Sequence, residues 1–205
     1  MGSRTWVTAD THFGESAAIA RFGRPHGDVR EMDEALLEAI NRRVRPRDVL
    51  LHLGDVFGEL DWGDRAVRRG ARTFLERIRC RTVVLVRGNQ DPASRRFAKC
   101  FAESHDMLDL RVDDPHEPGR RLRVVCCHYP LRQWRGTWSG AMHLHGHSHG
   151  SLPEHGRATD VGVDCWSYAP VPLDDLVALL ARRPAPQGEF RRMQPMRSGD
   201  AQPPL

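Results

Sequence analysis

Apolar positions along the chain follow two rhythms. Trp6-Val7, Val49 to Leu53, Thr82 to Val86 and Leu122 to Cys126 are short runs rich in β-branched residues, the mark of strands buried on both faces. Between them the spacing changes to three and four. Val29, Met32, Leu36, Ile40 and Val44 keep helical period behind Asp28, an N-cap candidate with Glu31 as its capping-box partner, and Pro46 stops the run. A second helix is predicted from Val67, Ala71, Phe74, Leu75 and Ile78, although Gly70 in its middle costs about 1 kcal/mol relative to alanine. Pro92 to Phe101 reads as a short third helix.

The second half is strand-rich. Met107 to Val112 pairs with Leu122 to Cys126 as an antiparallel hairpin, Ala141 to Leu144 forms a short strand, and Asp160 to Asp164 closes the sheet. A final helix starts at Pro172, with Asp174 and Asp175 in its first turn and Leu173, Leu176, Val177 and Leu180 on one stripe, and runs out at Arg182-Arg183. From Pro184 to Leu205 proline and polar residues show no period, which predicts a flexible tail. The expected organisation is one mixed α/β domain over residues 1–183, its sheets covered by helices, followed by a tail over 184–205.

Composition narrows the setting. At 205 residues the chain suffices for one well-buried domain. Its net charge of +4 comes from arginine, because Lys99 is the single lysine. These arginines read as a solvated surface spread along the chain rather than gathered beside any motif, so nucleic acid is a possible partner but not the favoured one. The five cysteines are odd in number and lack zinc-site spacing; a reducing cytoplasm is expected. No signal-peptide core and no membrane-length apolar run is legible.

Metal-competent residues gather where the strands stop. Asp10-Thr11-His12, Gly54-Asp55, Gly88-Asn89-Gln90-Asp91 and His128 each follow an apolar run, and His143-Leu144-His145-Gly146-His147-Ser148-His149 puts four imidazoles around a glycine bend. Ligands collect beyond strand ends, so five such ends point to one site.

In order and spacing these five short motifs resemble those of the calcineurin-like metallophosphoesterases, from about Trp6 to Val163. The resemblance implies a four-layer α-β-β-α sandwich of two mixed sheets flanked by helices. It also implies a two-metal site, with Asp10, His12 and His149 on one ion, Asn89, His128 and His147 on the other, and Asp55 bridging both. Two carboxylates, an amide oxygen and four neutral imidazoles suit manganese, iron, zinc, cobalt or nickel, with manganese favoured. Two divalent ions against two carboxylates leave net positive charge, which fits an anionic phosphate ester. A metal-bridging hydroxide is the expected nucleophile.

One residue departs from the family pattern. Where many members carry a histidine that protonates the leaving group, oriented by the following acid, this chain has Gln90 before Asp91. Glutamine has no proton to give at useful pH. With Asp55, Gln90 and Asp91 as the catalytic candidates, the expectation is a phosphodiesterase acting on a small or nucleotide-like substrate, in preference to a phosphomonoesterase. The alternatives are a metal-dependent nuclease and a degenerate scaffold of the same fold. His105 or His155 is a substitute candidate for the missing acid.

The other conspicuous residues have plainer readings. His52 is expected as a buried, hydrogen-bonded histidine. His143 and His145 are expected to be structural, with contact to substrate or an outer shell as the alternative, and His26, His105, His116 and His155 to lie in solvated loops. Arg87 fits a salt bridge as well as a phosphate contact. Tyr129, Trp134 and Trp138 either line a pocket or pack beneath a loop, and Cys165-Trp166 is assigned to the core.

Overall fold

The structure, a computed structural model, describes residues 2–184. In chain order the elements are β1 (Thr5–Thr8), α1 (Ser16–Phe22), α2 (Val29–Arg43), β2 (Val49–His52), α3 (Arg65–Leu75), β3 (Thr82–Val86), α4 (Arg95–Ala98), β4 (Glu103–His105), β5 (Met107–Asp113), β6 (Arg121–Cys127), β7 (Met142–His145), β8 (Ala158–Asp160), β9 (Val171–Pro172) and α5 (Leu173–Ala181).

Two sheets are built from these strands. The first has the order β4-β3-β2-β1-β9, parallel except for β9, and the second the order β5-β6-β7-β8, whose only antiparallel pair is β5 with β6. Alternation within each strand explains how they stack. Val7, Leu51, Val84 and Val86 point to a shared core with Val124, Cys126, Met142 and Leu144 of the second sheet, which α5 closes with Leu176 and Leu180. Their neighbours Leu50 and Leu85 point the other way, into a second core under α1 to α4 that includes Met32, Leu36, Ile40 and Phe97. Two mixed sheets with flanking helices is the expected α/β architecture. Behind the second sheet, Trp134 packs on Val125, Ala141 and Ala158.

Local signals account for most boundaries. The Asp28 carboxylate accepts the N–H of Glu31, as a cap should, but Glu31 reaches back to the N–H of Gly27, one residue earlier than a capping box requires. Asp64 caps α3 and Ser94 caps α4. Several expectations need correction. The helix read over Pro92 to Phe101 shrinks to the four residues of α4. The closing strand lies earlier, over β8, and Val163–Cys165 is a 3-10 turn; Asp160 spends its carboxylate on the N–H of Gly150 and Gly162 instead of extending a ladder. Neither α1, whose sequence has too few turns to show a period, nor the three-residue β4 is legible beforehand. The predicted flexible tail from residue 185 onward lies outside the described residues. Among the described residues, no helix is long and apolar enough to cross a membrane.

Candidate metal centre

All seven ligand candidates sit just past the C-terminal ends of β1, β2, β3, β6 and β7. Register brings the ends together: Thr8 pairs with His52, and His52 with Leu85. The turns then lock to one another, with Asp10 N–H on the Gly54 carbonyl at 3.0 Å and Gly146 N–H on the His128 carbonyl at 3.0 Å.

The backbone at the site is strained. Asp10 (φ 57°), His12 (50°), Asp55 (52°), His147 (67°) and His149 (47°) are all left-handed. Each such residue costs on the order of 1–3 kcal/mol, so this arrangement persists only because the surrounding fold imposes it. Two glycines make room. A Cβ on Gly88 would lie 2.2 Å from Asp55 Oδ1, and one on Gly146 would lie 2.6 Å from Asp10 Oδ2. No larger residue fits either place without moving a ligand.

Two side-chain groups result. Asp10, His12 and His149 form one, Asp55, His128 and His147 the other, each with its ligand atoms within 4.8 Å of one another. Asp55 Oδ2 lies between them, 3.8 Å from His12 Nε2 and 3.5 Å from His128 Nε2. Asn89 Oδ1 completes the second group, 3.0 Å from His128 Nε2.

Hydrogen bonds on the far side of each ring aim the imidazoles. His12 Nδ1 meets Glu15 Oε2 at 2.7 Å, His149 Nδ1 meets Asp164 Oδ2 at 2.7 Å, and His128 Nδ1 meets the Leu53 carbonyl at 2.8 Å. Outer acceptors of this kind hold the proton on Nδ1 and turn an unprotonated Nε2 inward, as metal-binding histidines require. Phe22 stacks on the His149 ring, and Arg24, buried, binds Asp164 and the carbonyls of Asp10 and Thr11.

This donor set fits a pair of cations. His12 Nε2 is buried with no hydrogen-bond partner. With the His128 proton held on Nδ1, its Nε2 and Asn89 Oδ1 are two acceptors facing each other with no hydrogen between them. Burial pushes the Asp10 carboxyl well above the usual range and raises Asp55 too, while burial lowers His12 to about 3 and His128 to about 4. Neutral imidazoles and carboxylates short of a counter-charge are what a dication would satisfy.

The remaining candidates divide between scaffold and surface. Asp91 is 7% exposed, and its carboxylate accepts the N–H groups of Asp55, Val56 and Gly88. It therefore joins the turn after β2 to the turn after β3. The Gln90 N–H binds Asp55 Oδ1 at 2.8 Å. Asn89 and His147 are exposed, and with Gln90 they form the mouth of the site, beside Tyr129, whose ring centre is 5.0 Å from that of His147. His52 is buried against Thr11 Oγ1. His143 bonds the Val125 carbonyl and the Leu131 N–H, so it is structural. His105 pairs with Glu103 on β4, and His155 bonds the Arg132 carbonyl. His26, half-buried against Tyr168, is less solvated than expected. Arg87 makes a short ion pair with Asp106. Trp134 packs inside, Trp138 is exposed, and Cys165, contrary to its assignment to the core, is exposed. With Trp166 it lines a cavity of about 760 Å³ beside the histidine loop.

Sequence reading missed the outer residues Glu15, Phe22, Arg24 and Asp164. Only Glu15 had a local signal, an acid one turn beyond His12. Asp164 was hidden in the expected closing strand, and Arg24 among many arginines.

Residues 3–189 match the sequence profile of the family described as calcineurin-like phosphoesterase. An uncharacterized protein of Methanocaldococcus jannaschii is 26% identical over 87% of this chain and 92% of its own length. The gene 66 protein of Mycobacterium phage D29 is 27% identical over 85% of this chain and 94% of its own. Among solved structures, a protein of unknown function from Aquifex aeolicus superposes with a TM-score of 0.62 at 19% identity, covering 87% of this chain and all of that one, which bears on the fold alone.

Proposed function

From the premise that the chain belongs to the calcineurin-like phosphoesterase family, we propose that it is a binuclear metal-dependent hydrolase of phosphodiesters. The observation that carries this reading is the position of Asp55 between two histidine-bearing groups, whose inward nitrogens are kept unprotonated by partners behind them. Asp10, His12 and His149 would hold one ion and Asn89, His128 and His147 the other, with Asp55 shared. A pair of ions held there, manganese by preference, would supply Lewis-acid chemistry, lowering the pKa of an attacking water and offsetting charge on the phosphoryl oxygens.

The chain supplies the rest. The Gln90 N–H and the His147 N–H fix the two carboxylates, so their oxygens need not reorganise when an ester arrives. The ester enters at Asn89, Gln90 and His147. There Gln90 can donate a hydrogen bond but not a proton, so esters whose leaving groups need no protonation are favoured. The five free cysteines support a cytoplasmic setting.

Metal analysis and a substrate screen test the proposal. Protein purified without chelator is expected to carry about two metal ions per chain and, with Mn²⁺, to cleave aryl diesters or cyclic nucleotides faster than aryl monoesters. Asp55→Asn should abolish the activity; a rate that survives it belongs to another site or a contaminant. Gln90→His should raise monoester turnover, and no gain there removes the leaving-group argument. Failure to take up metal even with added Mn²⁺ would favour the scaffold alternative.

A further inference from the structure

The arginines are not spread evenly. Between Arg65 and Ala102 there are eleven basic residues and only two acidic ones, Glu76 and Asp91, a net +9 in a chain of +4; the remainder carries −5. This corrects the expectation that the arginines are spread along the chain. Asp91 is buried among backbone N–H groups, so Glu76 is the segment's only exposed acid.

Folding gathers part of this charge on one surface, since Arg77 is paired with Glu34 of α2 and Arg87 with Asp106. The loop before α3 packs on α4 through Trp62 against Phe97, and a groove of about 240 Å³ between the C-terminal end of α3 and the segment after α4 is lined by Arg72, Arg81 and Lys99 with Glu76 as its one acid. Arg65, Arg69, Arg95 and Arg96 are exposed as well, and among the described residues none of these four has a carboxylate within ion-pair reach. Unpaired arginines in such number repel one another, a cost that an anionic partner would remove. Arg95 and Arg96 open α4 after the loop that carries Asn89, Gln90 and Asp91, while the groove lies toward the N-terminal ends of β3 and β4, so the basic residues run from the metal-centre end of the sheet to the other.

We infer that the α3–α4 face binds the phosphate backbone of a nucleic acid. The 11-residue α3 is about 16 Å long, a distance over which a duplex presents about nine phosphate charges and one strand about half that. Nothing apolar and large is exposed on α3 or α4, which sets the face apart from a membrane-seeking helix. The further consequence, that the ester delivered to the metal centre belongs to a polymer, rests on the hydrolase reading. The binding itself does not.

The test compares the parent with a combined Arg69→Gln, Arg72→Gln, Arg81→Gln, Lys99→Gln variant, all surface positions outside the metal centre. Fluorescent single-stranded and duplex oligonucleotides are titrated by anisotropy over a range of salt. Each phosphate-contacting cation removed should lower the slope of log K against log salt by about 0.7 to 0.9, a total near 3 for the four. Hydrolysis of a small aryl diester should be the same in both proteins. A parent that binds no oligonucleotide at about 50 mM salt, a slope unchanged in the variant, or preferential binding to vesicles of anionic lipid would each overturn the inference. Absence of aryl-diester hydrolysis in the parent would count against the hydrolase reading alone.

Discussion

Removing the Asp91 carboxylate should loosen the whole metal centre before it touches any chemistry. Its two oxygens accept three backbone N–H groups at 2.9, 3.0 and 2.8 Å, from Asp55, Val56 and Gly88, and the side chain is buried. Asp91→Ala leaves those donors without an acceptor, and each unmade buried bond costs about 1–3 kcal/mol. A water entering the space left by the carboxyl would recover part of this, so a loss of about 3–6 kcal/mol is expected, against a total stability of about 5–15 kcal/mol for such a chain. Asp91→Asn should cost less, about 1–3 kcal/mol, because one amide oxygen keeps its donors while the new NH₂ opposes another N–H.

Urea denaturation in the presence of chelator measures the difference without any contribution from bound metal. The family pattern gives this acid another task, orienting the residue at position 90. If that were its whole role, both variants would unfold within about 0.5 kcal/mol of the parent and lose only turnover, and the structural argument would be refuted.

Four further outcomes follow from the same geometry. Asp164→Ala should weaken metal binding about 10- to 100-fold, read by competition with a chromophoric chelator, because His149 loses the acceptor that aims it; unchanged affinity would show that stacking on Phe22 suffices. Gly88→Ala should eliminate metal binding while the far-UV spectrum stays that of the parent, since the added Cβ lands 2.2 Å from Asp55 Oδ1; a variant that still binds two metals would mean the turn can move aside. Burial lowers His143 from 6.5 to about 4, and its Nε2 accepts the Leu131 N–H, so the unfolded chain takes up this proton first. Its contribution is full above pH 6.5 and lost as the pH falls toward 4, up to about 3 kcal/mol, less whatever the Tyr129 carbonyl at 3.2 Å returns by accepting the new proton. Urea midpoints of the metal-free protein at pH 7, 6 and 5 should therefore fall, and His143→Gln should flatten the fall; an equal slope in both would exclude His143 as its source. Tyr129→Phe should leave metal content unchanged and alter KM more than kcat, because the exposed ring borders the mouth without reaching the inward nitrogens.

Legibility followed how each feature is encoded. Strands such as Thr82–Val86 and the antiparallel pairing of Met107 to Val112 with Leu122 to Cys126 are visible because burial on one or both faces writes a period into the sequence; the observed ladder is longer, from Met107 with Cys127 to Asp113 with Arg121. The inner donors were visible because they cluster at strand ends in short motifs. Neither signal reaches Asp164 or Arg24, which meet across 140 positions of chain and act on His149 only after β7, β8 and α1 have been assembled. The charge asymmetry is a different case. It stands in the sequence from Arg65 onward but looks dispersed, since along a line of residues arginines on α3, on the approach to β3 and on α4 look separate. The groove that Arg72, Arg81 and Lys99 line joins the three stretches on one surface.

The strained turns connect these two levels. Five ligand candidates hold left-handed backbone at a combined cost of about 5–15 kcal/mol, as much as the whole stability of an ordinary domain. The motif residues cannot supply that themselves, since in the metal-free protein Asp10 and Asp55 are buried carboxylates that burial already disfavours. The offset must come from what encloses them: the two apolar cores, the Asp91 carboxylate joining two turns, and the Arg24–Asp164 pair tied to the carbonyls of Asp10 and Thr11. Bound cations would add to it, so metal should raise the unfolding midpoint most in variants whose outer support has been weakened. The short motifs thus specify which atoms meet, while residues that resemble ordinary core and salt-bridge positions determine whether they can stay there.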